Sequence, residues 1–423
     1  MNRACVIGLD GVPVDLIRRF AAEGVMPAMG RLVSCGHLHS MKASLPEISS
    51  VSWTCFMTGT NPGQHGIFGF TDLQERSYRV RFPNANDVKA PAIWDRLGEK
   101  GRKSIVINQP STYPARSING ALVAGFVAIE LARAVQPISH LAALERMGYR
   151  IDIDTMRARR DEPFMWRELD GTLECGRKAF DYFWSQDWDY FEFIVTGTDR
   201  LHHYLWPAHA VPSHPAHAGF LDYYRKVDNL IDRIVTAYGE RNGSLEGLYL
   251  LSDHGFTAIE QEVYLNAWLQ KAGYLSFDSQ APKQLAEIGP GSRAFAMDPN
   301  RIYLNAKGRF PRGVVSPADR KLLKQEIAEA VRELRNEGKN VVREVFDTDE
   351  IYSGPHAAKG PDLIVLAENG FDMKGAVDKP GVFGRTDLLG MHTWDDAFFW
   401  SGKDHGDALT ISDLAGIILE NFA

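Results

Sequence analysis

The sequence has no run of eighteen apolar residues, so it predicts no membrane-spanning helix. Its first apolar stretch, Cys5 to Leu9, is too short for a secretory core and stops at Asp10. Cysteine is scarce: Cys5, Cys35, Cys55 and Cys175 show no Cys-x-x-Cys spacing, which removes the usual signature of a zinc ribbon or dithiol redox centre. Cys5 and Cys55 lie in apolar surroundings and read as small core residues. Basic charge is not in surplus either. Lys and Arg number 47 against 54 Asp and Glu, a net charge of −7, which argues against a surface for a nucleic-acid polymer. Internal repeats, low-complexity tracts and Gly/Ser linkers are absent. These absences predict a reduced, cytoplasmic protein without a membrane segment, folded as a single domain over residues 1–423; they leave the oligomeric state open.

What is present is ordinary globular composition, 44% hydrophobic and 24% charged. Ala4–Leu9, Lys103–Ile107, Phe191–Val195, Leu248–Leu251, Asp362–Ala367 and Ala397–Trp400 read as short buried strands. Helical patterns lie between them: after Pro13, after Pro27, and over Tyr223–Tyr238, Pro317–Arg335 and Ile411–Asn421. The alternation predicts an α/β fold, a mainly parallel central sheet with helices on both faces. Segments 125–185 and 265–355 fit this rhythm poorly and read as insertions capping the active end of the sheet.

Asp and His concentrate in four islands: Leu9-Asp10-Gly11, Asp199 to His203, Ser252-Asp253-His254-Gly255 and Gly390-Met391-His392. Each sits where a strand would run out into a loop, and there open α/β sheets collect functional groups. Asp199 and His203 share a helical face by their spacing of four; His202 is the rival ligand and points elsewhere. Ser49, at the start of a helical stretch ending at Thr58-Gly59, adds a hydroxyl nucleophile favoured by a helix N-terminus. Taken singly, Asp10 and Ser49 also fit helix N-caps. Carboxylates, imidazoles and one hydroxyl are together the inventory of a two-metal hydrolase.

These islands, with Met57-Thr58-Gly59-Thr60-Asn61-Pro62-Gly63-Gln64-His65-Gly66-Ile67, resemble the alkaline phosphatase superfamily, in particular its type I phosphodiesterase/nucleotide pyrophosphatase branch. In that family the nucleophile stands ten residues before the Gly of the Thr-Gly pair, which here gives Ser49. The resemblance implies that Asp10, Asp253 and His254, with Ser49, hold the metal that activates the nucleophile, and that Asp199, His203 and His392 hold a second. It implies two divalent ions, a phosphoseryl intermediate and a small-molecule phosphate ester as substrate. Ligands without thiolate suit Zn2+ and admit Mn2+. His65 reads as a structural residue tying its turn.

The sequence also departs from its relatives. The pyrophosphatase branch uses threonine where Ser49 stands, and places an Asn three positions later, here Ser52. Asn108, at the end of the second strand, is the alternative amide for a phosphate oxygen, or else a turn former. Alkaline phosphatases follow the nucleophile with an arginine that grips a dianionic monoester. Ser50 takes that place, so a singly charged diester is favoured, unless Arg116, Arg293 or Arg301 substitutes. Sulfatases need a Cys/Ser-x-Pro-x-Arg setting that is missing. A phosphodiesterase is therefore the leading expectation. A phosphomonoesterase, phosphonate hydrolase or phosphomutase stands second, and an inactive binding protein third. Trp53, Tyr113, Trp206 and Trp394 lie near the motifs and fit either packing or substrate stacking.

Overall fold

The computed structural model describes residues 3–423, in two compact units. The first holds the chain up to Thr60, then Asn84–Thr257 and His392–Ala423; the second holds Asn61–Pro83 and Ala258–Met391.

The first unit is built on an eight-stranded sheet. Its strands are β1 (Ala4–Leu9), β2 (His37–Met41), β3 (Ser104–Gln109), β4 (Gly120–Ala124), β5 (Val135–Gln136), β6 (Tyr190–Val195), β7 (Leu248–Leu251) and β8 (Ala397–Ser401). Their spatial order is β2-β8-β7-β1-β6-β3-β4-β5. The run β7-β1-β6-β3-β4 is parallel, with Ala4 opposite Tyr190 and Cys5 opposite Leu248 in the registers flanking β1. Every residue of β1, β3, β6 and β7 is buried, as expected of parallel strands covered on both faces. The sheet edges are antiparallel: β8 against β7, β2 against β8, and β5 against β4.

Three helices matter for the site: α1 (Ser49–Thr58), α2 (Gly197–Leu205) and α3 (His217–Asn242). The first ends at Gly59 and the third at Gly243, both left-handed, at φ 64° and 74°. The helices expected after Pro13 and Pro27 form over Val14–Ala22 and Pro27–Cys35.

The strand expected over Asp362–Ala367 forms as Leu363–Ala367, but it does not join the parallel sheet. It lies in the second unit, in a four-stranded sheet ordered Ala294–Met297, Arg301–Leu304, Leu363–Ala367, Val342–Asp347. All the pairs in that sheet are antiparallel. A short apolar run encodes burial, not the direction of its partner. The helix expected over Pro317–Arg335 spans Arg320–Arg332 and contributes Leu323, Ile327 and Val331 to a core with Phe295, Ile302, Val345 and Val365. Segment 265–355 falls in this unit and segment 125–185 in the first. Among the described residues no helix is long and apolar enough to cross a membrane, and all four cysteines are free.

Candidate metal centre

Three adjacent parallel strands deliver the acidic and imidazole groups at one end of the sheet. β1 runs out into Asp10, β7 into Asp253 and His254, and β6 into the turn that starts α2, which carries Asp199 and His203. β8 is antiparallel to β7, so it begins at this same end, and His392 stands just before it. Side chains scattered over the sequence are thus gathered by strand direction alone.

The turns are shaped for this. Gly11 adopts φ 67°, and its amide donates to Asp253 Oδ1 at 3.0 Å. At Gly8 a Cβ would fall 2.4 Å from Ile194 Cδ1 and 2.5 Å from the Trp53 ring, so glycine is what admits the indole against β1. Trp53 in turn donates from Nε1 to Asp10 Oδ2 at 3.0 Å. Its role is support for Asp10, not substrate stacking.

Ser49 does not cap its helix. Ile48 takes that position, and the Ser49 hydroxyl stands 3.2 Å from Asp10 Oδ1 and 3.0 Å from His254 Nε2. Nor does Asp10 cap one, since Pro13 precedes the next helix. Asp10, Ser49, Asp253 and His254 form one buried group, with His254 Nε2 3.7 Å from Asp10 and 3.3 Å from Asp253. Beside it, Asp199 Oδ1 lies 3.4 Å from His203 Nε2 and 3.3 Å from His392 Nε2, and the two imidazole nitrogens are 3.2 Å apart. The His254 and His392 rings stack at 3.6 Å, so His254 also borders the second group.

Several features of these groups fit divalent cations. Asp199 Oδ1 and Asp253 Oδ2 are buried and accept no hydrogen bond, although ring nitrogens face both. His254 donates from Nδ1 to the Gly255 carbonyl and His392 from Nδ1 to that of Glu47, leaving each Nε2 lone pair turned inward. The electrostatics agree. Burial, then the charges of Asp253 and Asp199, pushes the Asp10 carboxyl well above its ordinary range. Burial raises Asp253 to about 7. Burial and the neighbouring His392 hold the His254 imidazole far below its usual value, and so neutral. Burial also opposes ionisation of Asp199, but His203, His392 and Arg200 outweigh it and keep that carboxylate charged. Crowded carboxylates and imidazoles of this kind match the donor set of zinc or manganese. Asp10, Ser49, Asp253 and His254 could hold a divalent ion, and Asp199, His203 and His392 offer a second set of donors beside them.

His202 faces away: its Nδ1 stands 2.8 Å from the Gly11 carbonyl and its Nε2 2.7 Å from the Tyr224 hydroxyl. His65 is buried, and its Nδ1 accepts from the Ile67 amide, an interaction within its own turn. Asn108 stands at the exit of β3 with φ 66°, and its amide nitrogen donates to the Ile194 carbonyl. The Ser52 hydroxyl is engaged by that of Ser44 at 2.8 Å.

Sequence reasoning missed Arg200. Its guanidinium donates to Asp199 Oδ2 at 2.6 Å and to Asp152 Oδ2 at 2.7 Å, and lies 4.7 Å from the Phe126 ring. Segment 125–185 therefore reaches the site through Asp152 and Phe126. The available signal was the position of Arg200 inside the Asp199–His203 island. Its partner, 48 residues away, carried none.

Comparison with known proteins accords with this geometry. No curated protein matches the sequence. The fold is shared with phosphonoacetate hydrolase from Sinorhizobium meliloti 1021, solved with phosphonoacetate, at a TM-score of 0.67 and 14% identity, covering 100% of this chain and 96% of that one. It is shared also with an inactive murine ectonucleotide pyrophosphatase/phosphodiesterase 5 in complex with AMP, at 0.58 and 12%, covering 100% and 95%. The human form of that protein gives 0.55 and 13%, covering 99% and 94%. The model of the type I phosphodiesterase/nucleotide pyrophosphatase family matches residues 4–395. The chain belongs to that family of the alkaline phosphatase superfamily, and it is a phosphohydrolase enzyme.

Proposed function

We propose that this phosphohydrolase is a metal-dependent phosphodiesterase acting on a small-molecule ester through a phosphoseryl intermediate on Ser49. The observation that carries the reading is the placement of the Ser49 hydroxyl against Asp10 and His254, beside the Asp199–His203–His392 group. When bound, two divalent ions would supply Lewis-acid activation of the hydroxyl and of the water that follows. The protein's own part is to aim and stabilise. Ser49 Oγ forms the new bond to phosphorus as the ester P–O bond breaks and the alcohol departs; water then cleaves the phosphoserine. The N-terminus of α1 favours negative charge developing at Ser49. Trp53 and the Gly11 amide fix Asp10 and Asp253, and Arg200 fixes Asp199.

The diester preference rests on what lies beside Ser49. Ser50 offers no guanidinium for a dianion. The arginines considered as its substitutes are engaged elsewhere: Arg301 with the Asp298 carbonyl, Arg293 with Glu326, and Arg116 with Asp95. A phosphonate is the first competing substrate, because phosphonoacetate hydrolase shares the fold over the whole chain.

The test is hydrolysis of bis(p-nitrophenyl) phosphate, p-nitrophenyl phosphate and phosphonoacetate by the metal-loaded enzyme and by its Ser49→Ala variant. The wild type is expected to prefer the diester and to lose activity with chelator. The variant should lose at least about 10³-fold in kcat while retaining metal. Preference for the monoester or phosphonate overturns the substrate assignment. Full activity in Ser49→Ala overturns the nucleophile.

A further inference from the structure

On the edge strand of the same sheet lies a second cluster of metal-type ligands that the reaction does not use. His37 and His39 are two residues apart on β2, so their side chains share a face, and their rings stack at 6.2 Å. β2 is an edge strand with His37 opposite Ser401 and His39 opposite Phe399. Ser401 pairs in turn with Tyr249, near the start of β7, whereas the Asp253–His254 island follows the end of β7. Phe399 pairs with Leu251, so what separates this cluster from the candidate metal centre is its place on the edge strand, two strands across from β7.

After β8 the chain turns back over that face. His405 stands with its ring 6.4 Å from His39 and 5.6 Å from Phe399, and its Nε2 lies 3.0 Å from the Ser401 hydroxyl. Asp404 is held in place by the Gly406 amide, which donates to its Oδ1 at 2.9 Å. The same oxygen points at His39 Nε2 from 3.5 Å. His39 is only 8% exposed, yet the polar neighbours of its Nε2, Asp404 Oδ1 and the His405 amide, both stand at 3.5 Å, the outer limit of a hydrogen bond. A nearly buried nitrogen is thus poorly satisfied, with two further imidazoles and a carboxylate around it.

We propose that His37, His39, His405 and Asp404 form a separate binding site for a borderline divalent transition ion such as Zn2+. Three imidazoles and one carboxylate are the donor set such ions take, and hard ions such as Mg2+ are not served by it. The ring spacings are about 1 Å wider than two imidazoles sharing one ion at Zn–N bonds of about 2.0–2.1 Å. Binding would require the exposed His37 and the half-buried His405 to rotate about their side-chain bonds to close that difference. The ion would pin the unpaired edge of β2 to the loop after β8, protecting an edge otherwise open to pairing.

The experiment is zinc content per chain, by equilibrium dialysis and elemental analysis, for the wild type, a His37→Ala/His405→Ala variant and a His39→Gln variant. Each variant is expected to hold one zinc fewer per chain than the wild type while hydrolysing phosphate esters at an unchanged rate. A second readout is the Cu2+ electron paramagnetic resonance spectrum of the zinc-dialysed protein. Nitrogen hyperfine structure from this site should appear in the wild type and vanish in the His37→Ala/His405→Ala variant, whose altered side chains are not core residues. Equal zinc content in all three proteins, or an unchanged copper spectrum, overturns the proposal. Neither readout depends on the catalytic assignment.

Discussion

Glu192 sits in the middle of β6, the strand that leads into Asp199, with Val6 and Val106 opposite it on the neighbouring strands. It is fully buried; Tyr190 donates to its Oε2, and its Oε1 has no hydrogen-bond partner. Burial raises its carboxyl from 4.5 to about 8, against a smaller lowering by the Tyr190 hydroxyl. Between those values the folded protein holds a proton that the unfolded chain has released. Stability must therefore fall as pH rises, by about 1.4 kcal/mol per unit. The loss begins near pH 4.5 and is complete near 8; over pH 5 to 8 it amounts to about 4 kcal/mol. Glu192→Gln has nearly the same shape and no titration. At pH 5 it should be about 1 kcal/mol less stable, because its amide brings two N–H donors where the protonated acid brings one O–H. At pH 8 it should be the more stable protein by about 3 kcal/mol, the difference between these terms. The assay is urea unfolding of both proteins at half-unit steps from pH 5 to 9, in excess chelator so that metal uptake does not contribute. Subtracting one curve from the other removes every titration the two proteins share. Parallel curves would refute the reasoning, since they would mean that Glu192 is ionised in the folded state or solvated by groups that burial hides.

Arg200→Met and Asp152→Asn should each weaken metal retention about 10–100-fold, as the loss of outer-shell partners typically does, and the double variant should lose less than the sum. Metal titration of the four proteins checks this, and strict additivity would deny that Asp152 acts through Arg200. Gly8→Ala should destabilise by about 1–3 kcal/mol, because its Cβ meets Ile194 and Trp53 at 2.4 and 2.5 Å; thermal unfolding reports it. Metal uptake at pH 6 should release protons, because burial holds Asp253 up to about 7 and a coordinating carboxylate must give its proton up. Calorimetry in two buffers of different ionisation enthalpy measures the number released, and a value of zero would contradict the raised carboxyl.

The site was legible for the same reason that part of the fold was not. A strand buried on both faces is a continuous apolar run, so Cys5–Leu9 and Leu248–Leu251 announce themselves, and the polar residue that ends each run is necessarily a strand exit. Asp10 could be placed from that alone, and Asp253 follows Ser252, the residue that ends the second run. Pairing direction leaves no such mark. Leu363–Ala367 is as continuously apolar as Leu248–Leu251, yet its neighbours are Arg301–Leu304 and Val342–Asp347, both antiparallel to it. β4 and β2 escaped notice because Gly120–Ala124 is mostly glycine and alanine and His37–Met41 is half polar, as an edge strand can be. Spacing on a helix chose His203 over His202, but the reason His202 turns away lies in the Gly11 carbonyl and the Tyr224 hydroxyl, which only the folded chain brings together. The same holds for Arg200. A guanidinium between two aspartates, one next to it in sequence and one far off, reads as an ordinary surface charge until tertiary structure supplies Asp152. Asp10, Asp253 and Ser49 stand at strand exits and a helix start, where local pattern finds them. Residues that hold those in place come from wherever the chain passes, and their partners have no fixed offset. Segment 125–185, irregular in sequence, supplies both Asp152 and Phe126 to that support, so substitutions there should alter metal retention before they alter the nucleophile.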